Sequence, residues 1–180
     1  MALKRVIRYL KGHPSCNMLY AYQGDNAPMT IMTDSDWAGD EATRKSTSGG
    51  IIRINSHVIS FWCKSQATVA LSSGEAELNA MVKGCSEGIG VLELMRELGC
   101  DANVYSIETD SSAARGTVMR HGAGRIKHLS TKQLWIQGAV KHYKITPVKI
   151  CRSVNSADVL THNCTTKDFD NHLERLGLIR

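Results

Sequence analysis

The chain has 180 residues, 42% hydrophobic and 22% charged, with a formal net charge of +5 and 15 Gly against 3 Pro. That is enough chain for one full core and too little for two, and the composition excludes a disordered or collagen-like polymer. No apolar run reaches the roughly 18 residues of a membrane helix, and the opening MALKRVIRYLKGHPSC lacks the unbroken apolar stretch and small-residue cleavage site of a secretory signal.

In chain order, residues 1–13 read as a short amphipathic helix with Leu3, Val6, Ile7 and Leu10 on one side, stopped by Gly12 and Pro14. Met29–Asp34 is a short strand. Gly49–Ile54 and Val58–Cys63 are β-rich runs joined by Asn55-Ser56-His57, a hairpin signal. Ser72-Ser73-Gly74-Glu75 has capping-box spacing and opens the longest helix, to about Leu98. Val104–Thr109 is a further strand, Ser111–Met119 and Thr131–Lys141 are helices, and Pro147–Val154 reads as the last strand. Asn155 is placed to cap a helix carrying Asp158, Val159 and Leu160, and residues 169–180 read as a loosely attached helix. This order predicts an α/β domain with a mixed sheet. The six cysteines, Cys16, Cys63, Cys85, Cys100, Cys151 and Cys164, form no CxxC pair. They read as reduced, mostly core thiols of an intracellular protein, with zinc disfavoured.

Charge is unevenly placed. From Ser111 to Lys149 there is no acid, while Arg115, Arg120, Arg125, Lys127, Lys132, Lys141, Lys144 and Lys149 accumulate. The preceding stretch, Ser72–Asp110, is strongly acidic. A basic surface beside carboxylates suits a polyanion held next to a metal.

Four acids stand where chemistry could gather. Asp34 and Asp110 each close a strand, and if those strands are parallel neighbours both emerge at the carboxyl edge of the sheet, where open α/β sheets bind ligands. A turn or N-cap role is the plain alternative for each. Glu75 and Glu77 lie about 200° apart around a helix and cannot share a face. Glu75 has its capping role, whereas Glu77 heads the small stripe Ala80, Gly84, Gly88, which lets a helix sit close to a sheet. Glu77 is therefore the preferred functional acid and Glu75 the runner-up. Asp158 is the fourth, with a first-turn helix acid as its alternative. Converging carboxylates repel one another, and hard divalent cations such as Mg²⁺ relieve this with oxygen ligands and waters. With 6% aromatics and a basic flank, a nucleic-acid groove is favoured over a sugar platform.

Thr33-Asp34-Ser35-Asp36-Trp37-Ala38-Gly39-Asp40 with Arg44-Lys45-Ser46-Thr47-Ser48-Gly49-Gly50, then Val69–Glu77, Thr109-Asp110-Ser111 and Asn155–Thr161, occur in the order shown by the ribonuclease H domain of copia-type retrotransposon polyproteins, which the chain resembles over about residues 28–165. Ala2–Pro14 resembles the tail of the reverse transcriptase that precedes this domain. The resemblance implies three parts: 1–27, a reverse transcriptase end and linker; 28–165, a ribonuclease H-like domain with a mixed five-stranded sheet flanked by helices; and 166–180, a tail with a short helix. It implies endonucleolytic cleavage of the RNA strand of an RNA–DNA hybrid, during reverse transcription, by two Mg²⁺ or Mn²⁺ ions. Carried over by motif, Asp34, Glu77, Asp110 and Asp158 are both catalytic residues and metal ligands. The reverse transcriptase of the same polyprotein and the hybrid are the implied partners, with no membrane. Leu160-Thr161-His162 departs from the family's Leu-Thr-Lys.

Lys45, Arg125, Lys127 and Lys132 are the candidate phosphate contacts, His128 a further substrate contact, and Ser72 and Ser73 candidates for the ribose 2′-OH. The tryptophans Trp37, Trp62 and Trp135 read as core or rim packing. The rival reading is a catalytically inactive retroelement remnant that only binds nucleic acid; a different nuclease or integrase of the same superfamily is a third.

Overall fold

The computed structural model describes residues 2–24, 28–100, 104–124 and 128–179. Helix α1 (Ala2–Gly12) leads to the two-residue strand β1 (Asn17–Met18), followed by β2 (Met29–Ser35), β3 (Thr47–Ile54), β4 (His57–Ser65), α2 (Ser73–Glu97) and β5 (Val104–Thr109). Helices α3 (Ser112–Met119) and α4 (Thr131–His142), strand β6 (Thr146–Lys149), two 3-10 turns (Arg152–Val154 and Ser156–Leu160), α5 (Thr166–Arg175) and β7 (Leu178–Ile179) complete the chain.

The main sheet has the order β4-β3-β2-β5-β6, with β4, β3 and β2 antiparallel and β2, β5 and β6 parallel. The central strand, MTIMTDS, is buried along nearly its whole length, as expected of a strand covered on both faces. At the edge, β4 is mostly exposed. The hairpin turn needs left-handed backbone at Asn55, φ 51°, which asparagine tolerates better than most residues.

Two cores lie on opposite faces. The larger gathers Met29, Ile31, Ile52, Leu78, Met81, Leu92, Ile107, Val118 and Ile136 beneath α2, α3 and α4. The smaller holds Met32, Ile51, Val58, Ala157 and Leu176 beneath the second 3-10 turn and α5. The small-residue stripe has the expected effect: a Cβ at Gly84 would come 2.5 Å from Thr33 Cγ2, and one at Gly88 would come 2.2 Å from Ile31 Cδ1. Helix α2 therefore lies against β2 at a distance a larger side chain would forbid.

Four expectations need correction. The last strand ends at Lys149, not Val154, because the chain turns at Arg152–Val154 to return over the sheet. The helix after Asn155 is a 3-10 turn. The C-terminal helix begins at Thr166 and is firmly attached: His172 and Leu176 are buried, and β7 pairs with β1. That pairing joins two segments too short to register as strands. Of the cysteines only Cys85 is buried; Cys16, Cys63, Cys100 and Cys151 are exposed. Their positions in turns and at the sheet edge outweigh the residue's general preference for interiors. The apolar side of α1 is also exposed at Leu3, Val6, Ile7 and Leu10. Among the described residues, no helix is long and apolar enough to cross a membrane.

Candidate active site

Asp34 sits near the carboxyl end of β2, and Asp110 directly follows β5, its parallel neighbour. Asp110 does not cap α3; Ser111 does, its hydroxyl accepting from Ala114 N at 3.2 Å. Glu77 lies in the first turns of α2. The Ser72 hydroxyl caps that helix by accepting from Glu75 N at 3.2 Å, and Glu75 Oε2 accepts from Leu71 N at 2.9 Å. Glu75 is thus spent on the helix start, while Glu77 turns inward. Its carboxylate accepts from Ser35 N at 3.3 Å and from Thr109 Oγ1 at 3.5 Å.

Asp158 arrives from the opposite face of the sheet. Asn155, fully buried, donates from Nδ2 to Thr33 O at 2.9 Å and accepts from Ala157 N at 3.2 Å, tying the returning chain to β2. Gly49 pairs with Asp34 across β3 and β2. A Cβ there would stand 2.8 Å from Leu160 Cβ and 2.9 Å from Thr161 Cγ2, so its absence lets the 3-10 turn approach. Thr161 Oγ1 donates to Asp34 Oδ2, His162 Nε2 lies 3.6 Å from the same oxygen, and Arg152 Nε donates to Asp158 Oδ1 at 2.8 Å.

The four predicted acids meet in two overlapping groups. Asp34, Glu77 and Asp110 offer carboxylate oxygens within 4.8 Å of one another, and so do Asp34, Asp158 and His162 with oxygens and a ring nitrogen. Asp34 belongs to both. Asp34, Glu77 and Asp158 are 1%, 8% and 8% exposed. Among the described residues no Lys or Arg pairs with Asp34, Glu77 or Asp110. Burial, then the charges of Asp34 and Asp110, push the Glu77 carboxyl up to about 8. Asp34 is raised as well, by burial first; the Thr161 hydroxyl opposes the shift and the Asp158 charge adds to it. Buried acids that lack a cation and stand this close together are a donor set suited to a hard divalent ion.

The predicted substrate residues are more scattered. Ser73 is exposed at the start of α2, and Ser72 is committed to the cap. His128 Nε2 lies 3.2 Å from Glu75 Oε2, beside the same helix start. Lys132 is exposed on α4 and Lys45 half-buried in the loop after β2. Arg125 and Lys127 lie outside the described residues. Of the basic stretch, Arg115 donates to Pro147 O at 3.0 Å and Arg120 to Thr117 Oγ1 at 3.0 Å, so both serve the fold. Trp62 packs against the larger core, whereas Trp37 and Trp135 are exposed.

Sequence reasoning passed over Thr161, Arg152 and the polar group of Gln66, Asn79 and Gln133. Gln133 donates to Glu75 Oε1 at 3.2 Å and to Asn79 Oδ1 at 3.0 Å, and Asn79 donates to Gln66 Oε1 at 3.0 Å. These bonds join α4 to the start of α2. For Asn79 and Gln133 the sequence signal is an amide within a helix; Gln66, just past β4, carries none.

No family model matches the chain. It is 30% identical over 99% of its length to a retrovirus-related Pol polyprotein from transposon RE2 of Arabidopsis thaliana, of which it spans only 12%. LC11-RNase H1, isolated from compost by a metagenomic approach, superposes with a TM-score of 0.57 at 18% identity, covering 81% of this chain and 98% of that one. The same enzyme in complex with an RNA/DNA hybrid superposes with a TM-score of 0.51 at 16% identity, over 74% of this chain and 93% of that one. At such identities the solved structures establish the fold.

Proposed function

We propose, from the premise that this chain is a homologue of transposon Pol polyproteins and has a ribonuclease H-like fold, that it is a metal-dependent endoribonuclease which cuts the RNA strand of an RNA–DNA hybrid. The observation that carries the reading is the meeting of four acids from β2, α2, the end of β5 and the second 3-10 turn in two groups that share Asp34. Asp34, Glu77, Asp110 and Asp158 would hold Mg²⁺ or Mn²⁺ ions, which would acidify a water for attack and stabilise the departing 3′ oxygen.

The chain's own residues do the rest. Asp34 is the shared ligand. Glu77 and Asp110 complete one group of oxygens, and Asp158 contributes to the other. Ser35 N and Thr109 Oγ1 hold Glu77 at its position. The hybrid approaches across the start of α2, where Ser72 and Ser73 would meet a ribose and His128 and Lys132 phosphates; Lys45, in the loop after β2, and Arg125 and Lys127 are further phosphate candidates from the sequence. A relative of this fold has been solved with an RNA/DNA hybrid, which supports that substrate class. Residues 1–27 mark the junction to the reverse transcriptase of the same polyprotein, whose product is the hybrid, and the exposed apolar side of α1 belongs to that junction. The reaction takes place inside the cell, where reverse transcription occurs.

A labelled RNA–DNA hybrid incubated with the chain and Mg²⁺ tests the reading. Cleavage is expected, with a loss of at least ~10³-fold in Asp34→Asn and in Glu77→Gln. Salt-sensitive binding without cleavage by the unaltered chain would identify a non-catalytic remnant instead.

A further inference from the structure

The two groups at Asp34 are chemically unlike. One is all oxygen. The other contains His162, and this histidine is built into its position. His162 N donates to Asp158 O at 2.9 Å, closing a turn just past the 3-10 segment, and a ring nitrogen of His162 lies within 4.8 Å of carboxylate oxygens of both Asp158 and Asp34. Across from them stands Asp34, with His162 Nε2 3.6 Å from its Oδ2. Ligands of one ion at about 2.1 Å lie roughly 3–4 Å apart, so the imidazole already stands at ligand distance from its neighbour. The side chain is one-third exposed, which leaves room for a cation and its waters. Arg152 bonds only one oxygen of Asp158, and its own side chain is 60% exposed, so the guanidinium can turn to solvent when a divalent ion takes the carboxylate.

We propose that His162 is a metal ligand, completing with Asp34 and Asp158 a mixed nitrogen–oxygen site that prefers a first-row transition cation such as Mn²⁺ to Mg²⁺. This rests on the metal-dependent reading above and divides the two positions by chemistry. Mg²⁺ seeks oxygen and parts reluctantly with water, whereas imidazole nitrogen favours transition ions. The all-oxygen group of Asp34, Glu77 and Asp110 accepts either ion.

Pulsed EPR of the full chain loaded with Mn²⁺ tests the assignment. The unaltered chain is expected to show ¹⁴N coupling from a directly bound imidazole. The coupling disappears in His162→Gln and persists in His142→Gln, a substitution on the exposed end of α4. In calorimetric titrations, His162→Gln weakens the tighter Mn²⁺ site about tenfold and changes Mg²⁺ binding less than about twofold. Bound Mn²⁺ without ¹⁴N coupling in the unaltered chain overturns the assignment whatever the variants do, as does coupling that survives in His162→Gln. Hybrid cleavage in Mg²⁺ separates the two readings. Cleavage without coupling removes only His162; coupling without cleavage keeps His162 as a ligand and removes the nuclease.

Discussion

The two groups of ligands that meet at Asp34 are held by different means. Asp34, Glu77 and Asp110 ride on β2, α2 and the end of β5, three regular elements packed over the larger core. Their separation follows from strand pairing and from the close seating of α2. Asp158 rides on a 3-10 turn over the smaller core and His162 follows just past its end, the segment being held by the amide of Asn155 and by the missing side chain of Gly49. One half of the site is thus a property of the sheet. The other depends on single residues of an irregular segment, and there the ligand chemistry can change from oxygen to nitrogen without disturbing the fold.

The strongest way to sharpen this contrast is through Glu77. Its carboxyl titrates near 8 in the folded chain, against 4.5 ordinarily. Below about 4.5 both the folded and unfolded forms are protonated, and the folded state carries no penalty. As pH rises toward 8 the unfolded chain ionises first, so the folded state loses stability. Glu77→Gln should therefore stabilise the metal-free protein at pH 8 by on the order of a few kcal/mol and leave it nearly unchanged at pH 4. Thermal melts at the two pH values measure this, and saturating Mg²⁺ should erase the advantage. An equal effect at both pH values would mean that Glu77 carries no buried-charge penalty.

The irregular half can be broken alone. Gly49→Val drives a side chain into Leu160 and Thr161 and should cost about 1–3 kcal/mol, a fall of roughly 3–10 °C in melting temperature. The nitrogen–oxygen site should suffer more than the all-oxygen one. Loss of Mn²⁺ binding at both sites together would show that the halves are not separable.

The smallest expected effect concerns the surface. Lys132→Ala should reduce the salt slope of hybrid binding by about one unit and leave the rate at saturation unchanged. An unaltered slope would place Lys132 off the hybrid path.

Much of the regular half was legible in the sequence. The cap at Ser72 and the stripe Ala80, Gly84, Gly88 together separate Glu77 from Glu75, because helical geometry sends them to different sides. The strand-end positions of Asp34 and Asp110 follow from short apolar runs that stop at an acid. The irregular half was legible only in part: Asn155 announces a cap, but nothing local distinguishes a 3-10 turn from an α-helix over so few residues. The β1–β7 pairing was invisible, since each strand has two residues and their contact spans nearly the whole chain. The burial of α5 was equally hidden, because its few apolar residues, Phe169 and Leu173, and the Leu176 that caps it meet a core assembled from segments distant in sequence.

By itself, the order of residues determined the longer strands and helices, which acids end them, and which face of α2 is close-packed, because these depend on periodicity and on neighbours within one turn. Only the tertiary structure decided that β2 and β5 are parallel neighbours, that the chain returns over the far face to bring Asp158 and His162 to Asp34, and that Arg115 and Arg120 serve the fold. Those outcomes depend on contacts between residues distant in sequence, whose energies no local pattern records.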